Sequence, residues 1–149
     1  MSLSVIILAA GKGSRMNSNL PKVFHRIGNY PMLYHVLDTS EKLNPKFITM
    51  VISDSLQKYK DSIKKKNCRI NFAEQKKQLG TAHAVMSAFS QKKILQSSET
   101  LILYADTPLI SAQNIRNFLK SFKKNNFDLC ILAMLAENTD NSYGRLIVS

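Results

Sequence analysis

The sequence predicts an α/β layer fold, with one mostly parallel sheet and helices on both of its faces. Three observations predict it. Short continuous apolar runs alternate with amphipathic stretches along the chain, and the first run passes directly into a glycine-rich loop, Gly11-Lys12-Gly13. No internal repeat, linker or low-complexity segment interrupts that alternation. At 149 residues the chain reads as one domain, spanning residues 1–149.

Taken in order, Ser4 to Leu8 is a first buried strand. Pro31 suits the first position of a helix, and Met32, Leu33, Val36, Leu37 and Leu43 then share one face. Phe47 to Ile52 is a second strand, after which Asp54 is placed to cap a helix carrying Leu56, Tyr59 and Ile63. Arg69 to Ala73 is a third strand. Thr81 then caps a helix whose buried face is Ala82, Val85, Met86 and Phe89. Thr100 to Tyr104 is a fourth strand, Ser111 precedes a helix with Ile115, Phe118, Leu119 and Phe122, and Asp128 to Leu135 is a fifth strand. Parallel strands joined by right-handed crossovers follow from this order. Ligands of such sheets bind beyond the carboxyl ends of the strands. That rule selects residues 8–22, 75–81 and 104–108, which the fold is expected to bring to one edge.

Charge and cysteine content narrow the class. Lys and Arg number 21 against 10 acids, a net charge of +11, yet the lysines fall in short scattered groups: Lys64 to Lys66, Lys76-Lys77, Lys92-Lys93 and Lys123-Lys124. Three of those groups end helix-like segments, where cations complement the helix dipole. No aromatic-rich stretch accompanies them, which argues against a nucleic-acid partner. No apolar run reaches the roughly 20 residues needed to span a bilayer, so no membrane partner is expected. Met1 to Ala10 has no basic segment before its apolar run and makes a poor signal peptide, so a cytoplasmic location is the expectation. Cys68 and Cys130 lack metal-ligand spacing and read as buried thiols. His25, His35 and His83 read as packed or hydrogen-bonded rather than catalytic.

The first loop carries the chemistry. Leu8-Ala9-Ala10-Gly11-Lys12-Gly13-Ser14-Arg15-Met16 follows the first strand, and Leu20-Pro21-Lys22 closes the loop. Glycines let backbone N–H groups approach a phosphate with no Cβ in the way. Arg15 offers a fork to phosphate oxygens, and Lys22 a point charge. A dinucleotide fingerprint needs glycine where Met16 stands, and a P-loop needs Gly-Lys-Ser/Thr five residues after Gly11; neither pattern is met.

This stretch resembles the A-A-G-x-G-S/T-R-M…P-K signature of the sugar-phosphate nucleotidyltransferases. Gln75-Lys76-Lys77-Gln78-Leu79-Gly80-Thr81-Ala82-His83-Ala84 and Tyr104-Ala105-Asp106-Thr107-Pro108-Leu109-Ile110 are similar to two further segments, those of the N-acetylglucosamine-1-phosphate uridyltransferases. Leu20 to His25 and Tyr143-Gly144-Arg145 match in kind, so the resemblance covers essentially the whole chain. It implies a Rossmann-like, glycosyltransferase-A-like layer that joins UTP to a sugar 1-phosphate, releases pyrophosphate and supplies cell-wall synthesis.

By the resemblance, Leu8, Ala9, Ala10, Gly11 and Gly13 hold the ribose and phosphates, and Arg15 and Lys22 grip the triphosphate as the catalytic cations. Gln75, Gly80 and Thr81 read the uracil edge, with Tyr104 and Ala105 beside the nucleotide. Asp106 binds Mg2+, and Gly144 lies near the sugar. Asp106 before Thr107-Pro108 also reads as an ordinary turn residue. Two departures qualify the match. The family's glycine before the metal aspartate is Ala105, whose methyl group is expected to crowd the nucleotide. The family's sugar-gripping glutamate and asparagine, a further metal-binding asparagine and a β-helix acetyltransferase domain would all lie past Ser149. A truncated nucleotide-binding part is therefore the expectation. A non-catalytic remnant, or a subunit completed by a partner chain or a second copy, is the alternative.

Overall fold

A computed structural model describes residues 2–13, 16–67, 70–91 and 94–133. Four strands form one parallel sheet: β1 (Leu3–Leu8), β4 (Phe47–Ile52), β5 (Ile70–Glu74) and β6 (Glu99–Tyr104), in the order β5-β4-β1-β6. Leu3 stands opposite Glu99 and Leu8 opposite Tyr104, while Ser4 stands opposite Phe47. The chain thus builds outward from β1 through β4 to β5, then returns to lay β6 on the other side of β1. That reversal is the topological switch at which α/β sheets open a crevice.

The reversal also sorts the helices between the two faces. Helix α1 (Met32–Glu41), α2 (Lys60–Lys66) and α4 (Ala112–Lys124) supply Leu33, Val36, Leu37, Ile63 and Ile115 to a core with Val5, Ile7, Ile48, Met50 and Leu103. Helix α3 (Thr81–Phe89), linking β5 to β6, covers the opposite face, where Ala84 and Ala88 meet Ile6, Leu8, Val51 and Ala73. This corrects the expected buried face of α3. Met86 is 70% exposed and Phe89 is exposed, because the helix lies on the sheet through its small residues. It packs over β1, β4 and β5. Along β6, Leu101 and Leu103 are buried on the first face, while Ile102 and Tyr104 on the second remain exposed.

Three helix starts differ from expectation. Pro31 is the N-cap of α1 rather than its first residue, since it also pairs with Arg26 in a small hairpin of β2 (Arg26–Ile27) and β3 (Tyr30–Pro31). Gly28 and Asn29 turn that hairpin, both with positive φ, as a tight two-residue turn requires. Ser53, not Asp54, precedes a 3₁₀ turn over Asp54–Tyr59 that leads into α2. Gly80, not Thr81, caps α3. Ser111, expected only to precede a helix, caps α4, its hydroxyl accepting from the Asn114 N–H at 3.1 Å.

The expected fifth strand is not formed over residues 128–133, and residues 134 and 135 lie outside the described residues. A strand needs a ladder, and among the described residues 128–133 pair with no other; Leu129, Ile131 and Leu132 stand exposed. Cys130 is consequently a half-exposed free thiol rather than a buried one, and Cys68 lies outside the described residues. Among the described residues, no helix is long and apolar enough to cross a membrane.

Candidate nucleotide site

The ladder of the sheet runs one bond past each strand and so delivers three loops side by side. The Ala105 N–H donates to the Leu8 carbonyl at 3.0 Å, the Ala9 N–H to Val51 at 2.8 Å, and the Gln75 N–H to Ile52 at 2.8 Å. Residues 9–13, 75–80 and 104–108 thus leave one sheet edge together, as the strand-end rule anticipated.

In the first loop Ala9 and Ala10 are buried, and Gly11 and Lys12 emerge into solvent. Among the described residues, nothing lies within 4 Å of where a Cβ on Gly11 would stand. Gly13 is the opposite case. Its φ is +60°, and a Cβ there would lie 2.8 Å from the Cβ of Lys22, so the close approach of Lys22 requires glycine. Lys22 begins a 3₁₀ turn, Lys22–Phe24. Val23 is buried, and the Phe24 ring packs against Tyr59 at 4.4 Å and Tyr34 at 6.1 Å between centroids. The turn is thereby anchored, and the ammonium reaches from the segment after β1 to the loop after β6. There its Nζ meets Oδ2 of Asp106 at 2.6 Å, each side chain 34% exposed. Asp106 sits in a turn closed by Thr107, whose Oγ1 donates to the Tyr104 carbonyl at 2.9 Å. The aspartate is both a turn residue and the partner of a lysine at the switch point.

The middle loop is tied inward. Gln75 is 4% exposed; its Nε2 donates to the Gly80 carbonyl at 3.1 Å and lies 3.1 Å from Nδ1 of His83. Gln78 donates from Nε2 to the Ala10 carbonyl at 2.8 Å, tying this loop to the first. Gly80 has φ +98°, a conformation open only to glycine, and Thr81 begins α3 exposed. Lys12, Lys76 and Lys77 are all exposed on these two loops, so the edge is strongly cationic.

Of the residues singled out from sequence, Gly11, Gly13, Lys22, Gly80, Thr81, Tyr104 and Asp106 share this edge. Leu8, Ala9, Ala10 and Gln75 lie beneath it, nearly enclosed. Ala105 requires correction. It is fully enclosed, its N–H is spent on Leu8, and its side chain packs in the core under α1 and α4. Its methyl group therefore does not crowd the edge, and the residue offers no surface for a nucleotide. Arg15 and Gly144 lie outside the described residues. The sequence reading missed Gln78, which sits within the same motif as Gln75 but bonds to a carbonyl that no local pattern indicates. His25 and His35 each bond a backbone carbonyl, of Leu20 and Ile27, and hold loops as expected. A cavity of about 570 Å³ bordered by Leu3, Asn44, Lys46, Glu99 and Lys123 lies at the amino ends of the strands, away from all three loops.

No group of three or more His, Cys, Asp or Glu converges among the described residues. Asp106 stands beside Lys22. That donor set does not suit a zinc cage, which needs several protein ligands. It does suit magnesium, which keeps several waters and takes one or two carboxylates together with substrate phosphates.

Residues 5–139 match the MobA-like NTP transferase domain. Over 145 residues the chain is 39% identical to the bifunctional protein GlmU of Thermodesulfovibrio yellowstonii, covering 97% of this chain and 31% of that protein. It is 42% identical over 147 residues to the bifunctional protein GlmU of Francisella tularensis subsp. novicida, covering 99% and 30%. The chain therefore spans about 30% of the length of these curated relatives. The crystal structure of HddC from Yersinia pseudotuberculosis complexed with GMP-PN superposes with a TM-score of 0.64 at 26% identity, covering 80% of this chain and 53% of that one.

Proposed function

As a member of the MobA-like NTP transferase domain family, this chain is, we propose, the nucleotide-binding part of a sugar-phosphate nucleotidyltransferase that uses UTP and N-acetylglucosamine 1-phosphate. The observation that carries the reading is the Lys22–Asp106 pair at 2.6 Å, set between β1 and β6 beside the open space over Gly11. A cation and an anion held at a sheet's switch point are what a metal-bound polyphosphate needs: one group for the phosphate oxygens, the other for the metal. Identities of 39–42% to two proteins named GlmU support the choice of sugar and nucleotide.

In this reading Lys22 exchanges Asp106 for the triphosphate, and Arg15 adds a second grip. Asp106 would hold the magnesium, which when bound neutralises phosphate charge. Gly11 and Gly13 let the loop backbone approach the phosphates, and Gly144 lies near the sugar. Gln75, Gly80 and Thr81 face the base, with Tyr104 at its border. An oxygen of the sugar phosphate attacks the α-phosphorus; the α–β bridging P–O bond breaks, and its electron pair leaves with pyrophosphate. The protein positions the partners and balances charge, since no covalent intermediate is needed.

Calorimetry with UTP, CTP, ATP and GTP in magnesium tests the base and phosphate assignments, UTP binding tightest. Equal affinities would remove the base assignment. A coupled pyrophosphate assay with N-acetylglucosamine 1-phosphate tests the reaction. Binding without pyrophosphate release would make the chain a nucleotide-binding unit that a partner must complete.

A further inference from the structure

We propose that His83 is a positioning residue for base selection: it fixes which end of the Gln75 carboxamide is presented to the nucleotide. The inference rests on the reading above that the Gln75 loop meets the base. It begins from the two contacts of Nε2. The Gly80 carbonyl at 3.1 Å can only accept, so the amide nitrogen, not its oxygen, must face it. The second amide hydrogen then points to Nδ1 of His83, also at 3.1 Å. An imidazole nitrogen accepts only when unprotonated, so the His83 ring proton must reside on Nε2.

Both hydrogens of the amide are spent within the protein. What remains for a ligand is Oε1, an acceptor. At the matching edge position uracil carries the N3–H donor, whereas N3 of cytosine and N1 of adenine are acceptors. An acceptor-only carboxamide therefore favours a base with an N–H at that position, as in uracil, and opposes cytosine and adenine. Without the ring, the second amide hydrogen has no partner in a side chain that is 4% exposed, and a buried donor left without an acceptor carries a penalty. With the ring removed only the Gly80 contact holds the amide nitrogen inward, so a carboxamide that turns to present a donor gives up one bond rather than two. Backbone geometry locks the arrangement further. The Gln75 N–H is held by Ile52, and the +98° φ of Gly80 sets the direction of its carbonyl.

Two measurements test this. In ¹⁵N-labelled 149-residue protein above neutral pH, the His83 ring should show the tautomer protonated at Nε2; the opposite tautomer overturns the proposal without any variant. By calorimetry, the wild-type ratio of UTP to CTP affinity should exceed about tenfold, the effect of one lost polar contact. His83→Phe and Gln75→Ala should each bring that ratio near one, and His83→Phe should leave affinity for magnesium pyrophosphate unchanged. His83→Asn, whose side-chain oxygen can accept from Gln75, should restore it. A wild-type ratio in His83→Phe beside a lost ratio in Gln75→Ala overturns the role of His83 and leaves the base reading standing. A wild-type ratio near one overturns both.

Discussion

Lys22 and Asp106 are 84 residues apart in sequence and 2.6 Å apart in space. Residue types and resemblance identify each as a ligand group, but nothing local shows that they neutralise each other when no ligand is present. Their pairing gives opposite signs to two substitutions. Lys22→Ala removes a charge-assisted contact to phosphate and should weaken UTP binding by about 1.5–3 kcal/mol. Asp106→Asn should weaken UTP binding in magnesium, yet leave it equal or stronger in chelator, because it frees Lys22. Calorimetry with and without chelator reads both; equal losses in the two conditions would reduce Asp106 to its role in the turn. Each partner is a third exposed, so the pair itself contributes at most about 1 kcal/mol to folding. The two loop glycines separate stability from binding in a similar way. Gly13→Ala forces a Cβ into Lys22 at positive φ and should cost about 1–2 kcal/mol in denaturant unfolding. Gly11→Ala meets nothing within 4 Å among the described residues and should leave stability nearly unchanged. If a phosphate approaches that backbone, only the second variant loses UTP affinity at unchanged stability.

At the scale of elements, the four strands of the sheet were legible because each is a short apolar run bounded by polar residues. Register and exposure were not. On α3, the larger residues Met86 and Phe89 suggested a buried face, whereas packing chose Ala84 and Ala88, which let the helix approach the sheet. Apolar side chains at residues 129–132 resemble a strand, yet a strand is a pairing and residues 128–133 have none among the described residues. Ala105 shows the same limit within the candidate site. A motif locates the loop, but the direction of each side chain depends on the sheet beneath it. Helix starts were legible to within a residue: Gly80 rather than Thr81 caps α3, and Ser111 just before α4 proves to be its cap. Ser111 accepts from the Asn114 N–H at 3.1 Å, and Ser111→Ala should destabilise the protein by about 1 kcal/mol. Urea unfolding measures this, and an unchanged midpoint would mean that α4 does not depend on its cap.

For the whole molecule, the formal charge of +11 adds a field to the local contacts. Raising ionic strength from about 0.05 to 0.5 M shortens the Debye length severalfold and should lower UTP affinity several-fold, while leaving uridine binding unchanged. Parallel losses for both ligands would place the salt effect on the fold. Strand order has a separate consequence, for the time when the protein is being made. As the chain leaves the ribosome, β1, β4 and β5 are complete while β6 is still unsynthesised, and one flank of β1 waits for Glu99 and its successors. At 5–20 residues per second, the stretch from the end of β5 to the start of β6 takes roughly 1–5 s to emerge. During that interval the nascent half-sheet presents an apolar strand with an open row of N–H and C=O groups, a template for pairing with another chain. Translation speed between Glu74 and Glu99 is therefore a determinant of how much of this protein is recovered folded.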